Sequence, residues 1–171
     1  MMKNVLLVCS VILLLAVPAR ARAQYDKYKA LYIYNFTKRI DWPDDQKNGD
    51  FIMGVMGKGN IVKHLKGFTQ NKKVISQPIE VRQFQSSDAI DTCHLLFITD
   101  RYEDKTPVLV KKYADMPVLI ITEASDSGGD INFMETEKAL LFQINAKSIR
   151  SKNLKVSQSL INLGIEIDDG T

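Results

Sequence analysis

The chain has 171 residues, of which 45% are hydrophobic, and it carries a formal net charge of +3 and two cysteines. This length fits one globular domain, and so few cysteines exclude a disulfide-rich scaffold. The excess positive charge comes from Lys3, Arg20 and Arg22 in an N-terminal leader, and the remainder is formally neutral, so net charge gives no reason to expect nucleic-acid binding.

The first 23 residues have the pattern of a secretory signal peptide. Lys3 precedes an apolar run from Val5 to Val17, and Ala21-Arg22-Ala23 supplies small residues at both positions of a cleavage site. The run is shorter than the roughly 20 residues that a membrane-spanning helix needs. We therefore predict export with cleavage before Gln24, which leaves residues 24–171 as a single domain.

An amphipathic helix is predicted to open this domain. Apolar and aromatic side chains recur at helical spacing between Tyr25 and Ile40, and Pro43 disfavours helical geometry at Trp42, where the helix should end. Two alternatives stay open for Tyr32 and Trp42. They either pack in the core or form aromatic anchors for a binding partner.

Three short apolar runs predict strands that are buried on both faces of a sheet: Phe51–Met56, Cys93–Thr99 and Pro117–Thr122. Helices are expected between them at Ile61–Phe68 and Arg101–Ala114, the second with Pro107 in its first turn. This alternation is typical of β-α-β-α-β folds. A half-exposed strand near the sheet edge is predicted at Pro78–Phe84.

The C-terminal part predicts a hairpin followed by two helices. Ile131–Met134 and Ala139–Asn145 should pair in antiparallel fashion, with Phe133 and Phe142 on the inward side. Helical segments follow at Ala146–Lys152 and Ser157–Leu163. The predicted fold is therefore a single α/β domain with a mixed β-sheet, whose buried central strands are flanked by helices on both faces.

Two loops are candidates for ligand binding because they follow predicted strands, where open α/β sheets commonly bind ligands. The first is Gly57-Lys58-Gly59-Asn60, and the second contains Ser125 and Ser127. The glycine spacing is not that of the dinucleotide-binding fingerprint. Tight turns and solvated connections are the alternative interpretation for both loops.

No catalytic or metal-binding pattern is found, so we predict no catalytic residues, no metal, no cofactor and no enzymatic activity. His64 and His94 are the only histidines. Cys93 and His94 are adjacent on a predicted strand and should point to opposite faces, which prevents a shared metal. Removal of Cys9 with the leader leaves Cys93 alone, and we expect a buried, inert thiol without an intrachain disulfide.

Several segments together resemble the YfiR family of exported bacterial proteins. They are Lys29 to Phe36 with Trp42-Pro43, Phe51 to Gly57, Cys93 to Ile98, Gly129 to Phe133, Ile144-Asn145 and Leu154 to Ser157. The resemblance covers nearly all of residues 24–171, and its first segment is the most specific.

The resemblance implies a non-enzymatic periplasmic signalling regulator. Such a protein would form a homodimer and repress a membrane-bound diguanylate cyclase, thereby influencing cyclic-di-GMP signalling and biofilm formation, while an outer-membrane lipoprotein could sequester it. Known members carry paired cysteines, whereas only Cys93 would remain here, so disulfide control is not expected. The alternative is a periplasmic small-molecule-binding module that feeds a membrane sensor kinase.

Overall fold

The computed structural model describes the backbone of residues 17–125 and 127–168, with side chains from residue 25 onward. Most of the predicted signal peptide lies outside these residues, and its cleavage stays a prediction. Within the described part of the chain, no helix is both long and apolar enough to cross a bilayer. The α-helices are α1 Val17–Phe36, α2 Asn60–Thr69, α3 Thr106–Lys112, α4 Ala146–Ser151 and α5 Gln158–Ile161, with 3₁₀ turns at Asp44–Gln46, Ser87–Ala89 and Asp100–Lys105.

The described residues form ten strands, which are β1 Ile40–Asp41, β2 Phe51–Met56, β3 Lys73–Val74, β4 Gln77–Phe84, β5 Leu95–Ile98, β6 Leu119–Thr122, β7 Ile131–Glu135, β8 Leu140–Ile144, β9 Lys155–Val156 and β10 Ile165–Glu166. Eight of them form the main sheet, in the order β10-β8-β7-β6-β5-β2-β4-β3, and β1 pairs with β9 separately. Strands β4, β2, β5, β6 and β7 run parallel, whereas β3 and β8 run antiparallel to their neighbours β4 and β7. The predicted mixed sheet is therefore confirmed.

The central strands β2, β5 and β6 are buried at every residue because helices cover both faces of the sheet. One face carries the larger apolar core, to which α1, α2, α4 and α5 contribute. The opposite face carries a smaller core beneath Leu109 of α3 and Tyr113 directly after it. Both the buried central strands and the two helical layers agree with the prediction.

The hairpin β7–β8 also agrees with the prediction. Phe133 lies opposite Phe142, and both side chains are buried. The aromatic side chains of α1 pack on them, with the ring centroid of Phe36 5.0 Å from that of Phe142. Ser157 caps α5, since its hydroxyl accepts a hydrogen bond from the backbone N–H of Leu160.

Two predicted helix boundaries are wrong. The first helix ends at Phe36 and not near Trp42, because Ile40–Asp41 pairs with Lys155–Val156 as an antiparallel strand. A partner more than a hundred residues away in sequence leaves no signal in the local pattern. The predicted helix at Arg101–Ala114 begins as the 3₁₀ turn Asp100–Lys105 and becomes α-helical only at Thr106.

Candidate functional site

The two predicted ligand-binding loops lie at the same end of the sheet but are separated by β5. Gly57 is buried and has φ 145°, and a Cβ there would overlap the side chain of Thr99, which follows β5. Asn60 begins α2, and Lys58 and Gly59 before it are exposed. The space between the loops is thus partly filled by protein.

The second loop is tied to the 3₁₀ turn that follows β5. The hydroxyl of Ser127 donates to the Glu103 carboxylate at 2.9 Å, and Ser125 is exposed. These contacts stabilise the loop against its neighbour. A ligand-binding role for either loop stays a prediction.

The structure places both candidate partner anchors against the core. Trp42 is only 3% exposed, its indole N–H donates to the backbone oxygen of His94, and its ring packs edge-on against Phe51. Of the two alternatives for Trp42, this position fits packing in the core. Tyr32 is half-buried, with its ring about 6 Å from those of Phe133 and Phe142.

His94 is held in one neutral tautomer by two hydrogen bonds. Its Nδ1 accepts from the backbone N–H of Ile52 at 3.0 Å, so the proton lies on Nε2, 2.9 Å from the backbone oxygen of Gln46. Burial lowers the pKa of His94, and the hydrogen bond to Gln46 only partly opposes this effect. Burial also raises the pKa of the adjacent Cys93 thiol to about 12, which keeps it protonated and unreactive.

A buried lysine anchors α1 to the carboxyl ends of the strands. The ammonium of Lys29 lies 2.5 Å from the Glu123 carboxylate, which follows β6, and it also pairs with Glu135 at the end of β7. Burial alone would lower the pKa of Lys29, but the charge of Glu123 and the hydrogen bonds to both carboxylates raise it. The helix is therefore fixed to the sheet by a charged contact as well as by apolar packing.

Just beyond the C-terminal end of α1, four cationic side chains line a surface cavity of about 510 Å³. We call this cavity the basic groove. It lies between the turn after α1, the β3–β4 hairpin and β9, and it is lined by Lys38, Arg39, Lys73 and Lys155 together with Ile75, Asp41 and other residues. The β1–β9 pairing brings these segments together, and the backbone N–H of Ser157 donates to the backbone oxygen of Arg39 at 2.9 Å.

The cations of the basic groove have few acidic partners. Among the described residues, none of the four forms an ion pair, and the buried Nε of Arg39 has no hydrogen-bond partner. The carboxylate of Asp41 lies 3.0 Å from the ammonium of Lys47, which also pairs with Asp44 at 2.9 Å, and Asp44 in turn interacts electrostatically with Lys155. The four cations outnumber the nearby carboxylates, so the groove has a local positive charge that the formal neutrality of residues 24–171 does not reveal.

No local sequence pattern predicted this groove. The available signals were the basic pairs Lys38-Arg39 and Lys72-Lys73. Each pair by itself is ordinary surface composition, and only the non-local strand pairing shows that they meet.

Comparison with known proteins identifies the family of the chain. No curated protein matches it significantly. The family model described as YfiR/HmsC-like matches residues 26–165, which include α1 from its tenth residue, strands β1 to β9 and the first residue of β10. The chain therefore belongs to the YfiR/HmsC-like family.

Proposed function

We propose that this protein is a non-enzymatic periplasmic regulator that binds a membrane-bound signalling protein, such as a diguanylate cyclase, and represses it. The observation that carries the proposal is the family match over residues 26–165. At the level of the family, this membership supports a regulator of cyclic-di-GMP signalling that interacts with a membrane partner. The identity of the partner and the direction of the effect belong to the proposal.

The roles of the potentially reactive side chains support binding over catalysis. His94, directly before β5, bonds Ile52 of β2 through Nδ1 and Gln46 of the turn before β2 through Nε2, and protonation of Nδ1 would break the first of these bonds. The Cys93 thiol is buried and stays protonated. Neither group is poised as a general base or a nucleophile.

The exposed side of α1 is the surface that we propose for the partner. Tyr28 is 43% exposed and Leu31 is 39% exposed, and their spacing of three residues places them on one side of the helix. Aromatic side chains on a rigid element supply a large share of binding energy in protein interfaces. The Lys29 ion pairs and the packing of Phe36 provide that rigidity.

Capture of the partner from solubilised membranes tests this proposal. Immobilised wild-type protein should retain a diguanylate cyclase or another membrane signalling protein, and the Tyr28→Gln/Leu31→Gln variant should retain at least tenfold less, as expected from the loss of two contact side chains. Val108→Gln is the matched control, because Val108 is an exposed apolar residue of α3 on the opposite face of the sheet. Equal capture by all three proteins would refute the surface assignment.

Deletion of the gene tests the regulatory assignment itself. Release of a repressed cyclase should raise the cellular cyclic-di-GMP level and increase biofilm formation, and the wild-type gene should restore both. An unchanged level, together with failure to capture any membrane signalling protein, would overturn the proposal. Fractionation of cells and the intact mass of the exported protein test the periplasmic location and the predicted start at Gln24.

Two further parts of the proposal concern assembly. Homodimer formation predicts a molar mass in light scattering of twice that of the chain. Sequestration by an outer-membrane lipoprotein predicts a second captured species in outer-membrane extracts. The alternative function, a small-molecule-binding module for a sensor kinase, has less support because Thr99 fills the space next to Gly57 and β5 separates the two loops.

A further inference from the structure

Ile75 stands at the edge of the basic groove in an unusual conformation. It is the first residue of the two-residue turn between β3 and β4, has φ 56°, and is 70% exposed. Such turns favour asparagine or glycine at positive φ, and a β-branched residue there is strained. The fold thus holds a large apolar side chain in solvent where a polar residue would fit the backbone better.

Cations flank this apolar tip on both sides. Lys73 precedes it in the same hairpin, and Lys38, Arg39 and Lys155 lie across the groove. The ammonium groups of Lys38 and Lys72 also lie 4.3 Å and 4.5 Å from the centroid of the same Tyr34 ring. The Tyr34 ring attracts both ammonium groups and so holds two positive charges next to the groove.

We propose that the basic groove binds the anionic headgroups of a phospholipid bilayer, with Ile75 inserted at the boundary between headgroups and acyl chains. An exposed apolar side chain surrounded by lysine and arginine is the combination that binds anionic membrane surfaces. An acidic peptide would satisfy the cations, but it gives no role to an apolar side chain that projects outward at the tip of a hairpin. This inference goes beyond the proposed function, because it requires no protein partner.

The cations of the groove and the Ile75 side chain each contribute to bilayer binding. Each cation near an anionic leaflet strengthens partitioning about fivefold at low ionic strength. Partial burial of the Ile75 side chain contributes about a further tenfold. Because the charged contribution is screened, binding should weaken strongly as the salt concentration rises.

Vesicle co-sedimentation tests the proposal. The protein used is the exported form, and its N-terminus is determined by intact-mass measurement. Wild-type protein should sediment with phosphatidylglycerol vesicles at low salt and not with phosphatidylcholine vesicles. Ile75→Asn should reduce the partition coefficient about tenfold while the melting temperature stays equal or rises, since asparagine adopts positive φ more readily. Lys73→Gln should reduce it about fivefold.

Matched controls separate the groove from the rest of the surface. Val108→Asn and Lys111→Gln alter an exposed apolar and a cationic residue of α3, and both should sediment like the wild type. The proposal is overturned if the wild type does not sediment with phosphatidylglycerol vesicles, or if Ile75→Asn sediments with them as strongly as the wild type. Binding of free glycerol phosphate or polyglutamate in place of vesicles would likewise overturn it, assigning the groove to a soluble anion or an acidic peptide.

Discussion

A buried ion pair between Asp130 and Lys152 gives the sharpest test of what stabilises this fold. The Lys152 ammonium lies 2.8 Å from the Asp130 carboxylate, and the two side chains are only 3% and 1% exposed. The same carboxylate accepts hydrogen bonds from the backbone N–H of Ile120 and the hydroxyl of Ser148. The pair therefore links the start of β7 to β6 and α4. We predict that Lys152→Met, which removes the ammonium and keeps most of the apolar stem, strongly destabilises the protein.

The magnitude follows from the charge that would be left behind. Removing one partner of a buried ion pair leaves an uncompensated charge and typically costs about 3–5 kcal/mol. Two donors to Asp130 remain in the variant, so we expect the lower end, about 3 kcal/mol. For a domain of this size, each kcal/mol lowers the melting temperature by about 2–4 °C, which gives a decrease of about 6–12 °C.

Urea unfolding of four proteins measures this effect. They are the wild type, Lys152→Met, Asp130→Asn and the double variant. Neutralising both partners removes the isolated charge, so the double variant should be more stable than Lys152→Met. Lys105→Met is the control, because Lys105 pairs with Asp104 at the surface and its loss should have no measurable effect. A Lys152→Met variant as stable as the wild type would show that the pair contributes nothing beyond packing.

Three further predictions concern Trp42, His94 and Cys93. Trp42→Ala should lower the free energy of unfolding by about 3–5 kcal/mol in urea, since it opens a cavity in the core. An unchanged midpoint would show that the ring does not stabilise the core. The folded pKa of His94 is lowered below its ordinary value of 6.5, so the unfolded chain binds more protons. The stabilisation that neutral His94 contributes should be complete above pH 6.5 and should be lost as the pH falls below it. A His94→Gln variant should lack this pH dependence and keep the part that comes from carboxylates. Cys93, with a thiol pKa of about 12, should react with a thiol reagent only after unfolding, and rapid labelling of the native protein would contradict its burial.

The sequence predicted those parts of the fold whose cause is local. Strands β2, β5 and β6 are apolar at consecutive positions because both faces are covered, and this pattern does not depend on which strands pair. The hairpin β7–β8 also has a local cause, because its two strands are close in sequence. Short strands with distant partners, such as β1 with β9 and β10 with β8, left no comparable pattern.

The candidate sites show the same division. Gly57 and Asn60 were correctly placed between a strand and a helix, but the sequence could not show that Thr99 fills the adjacent space. Trp42 next to Pro43 is consistent with packing in the core or with a partner anchor, and only the fold shows that its ring lies against Phe51 and bonds to His94. Burial depends on residues far away in sequence, so composition alone could not decide it.

The basic groove changes what the neutral charge of residues 24–171 implies. A chain without net charge lacks long-range steering, which would leave partner choice to shape and aromatic anchors alone. In the folded protein, however, the turn after α1, the β3–β4 hairpin and β9 gather lysines and an arginine around Ile75. Local charge acts within about one Debye length, roughly 8–10 Å at moderate salt, which suffices for contact with an anionic surface. The fold thus gathers positive charge and an apolar side chain on one face, on a different part of the surface from Tyr28 and Leu31, although residues 24–171 carry no formal net charge. Because these two regions involve different residues, membrane attachment and partner recognition can be separated by substitution.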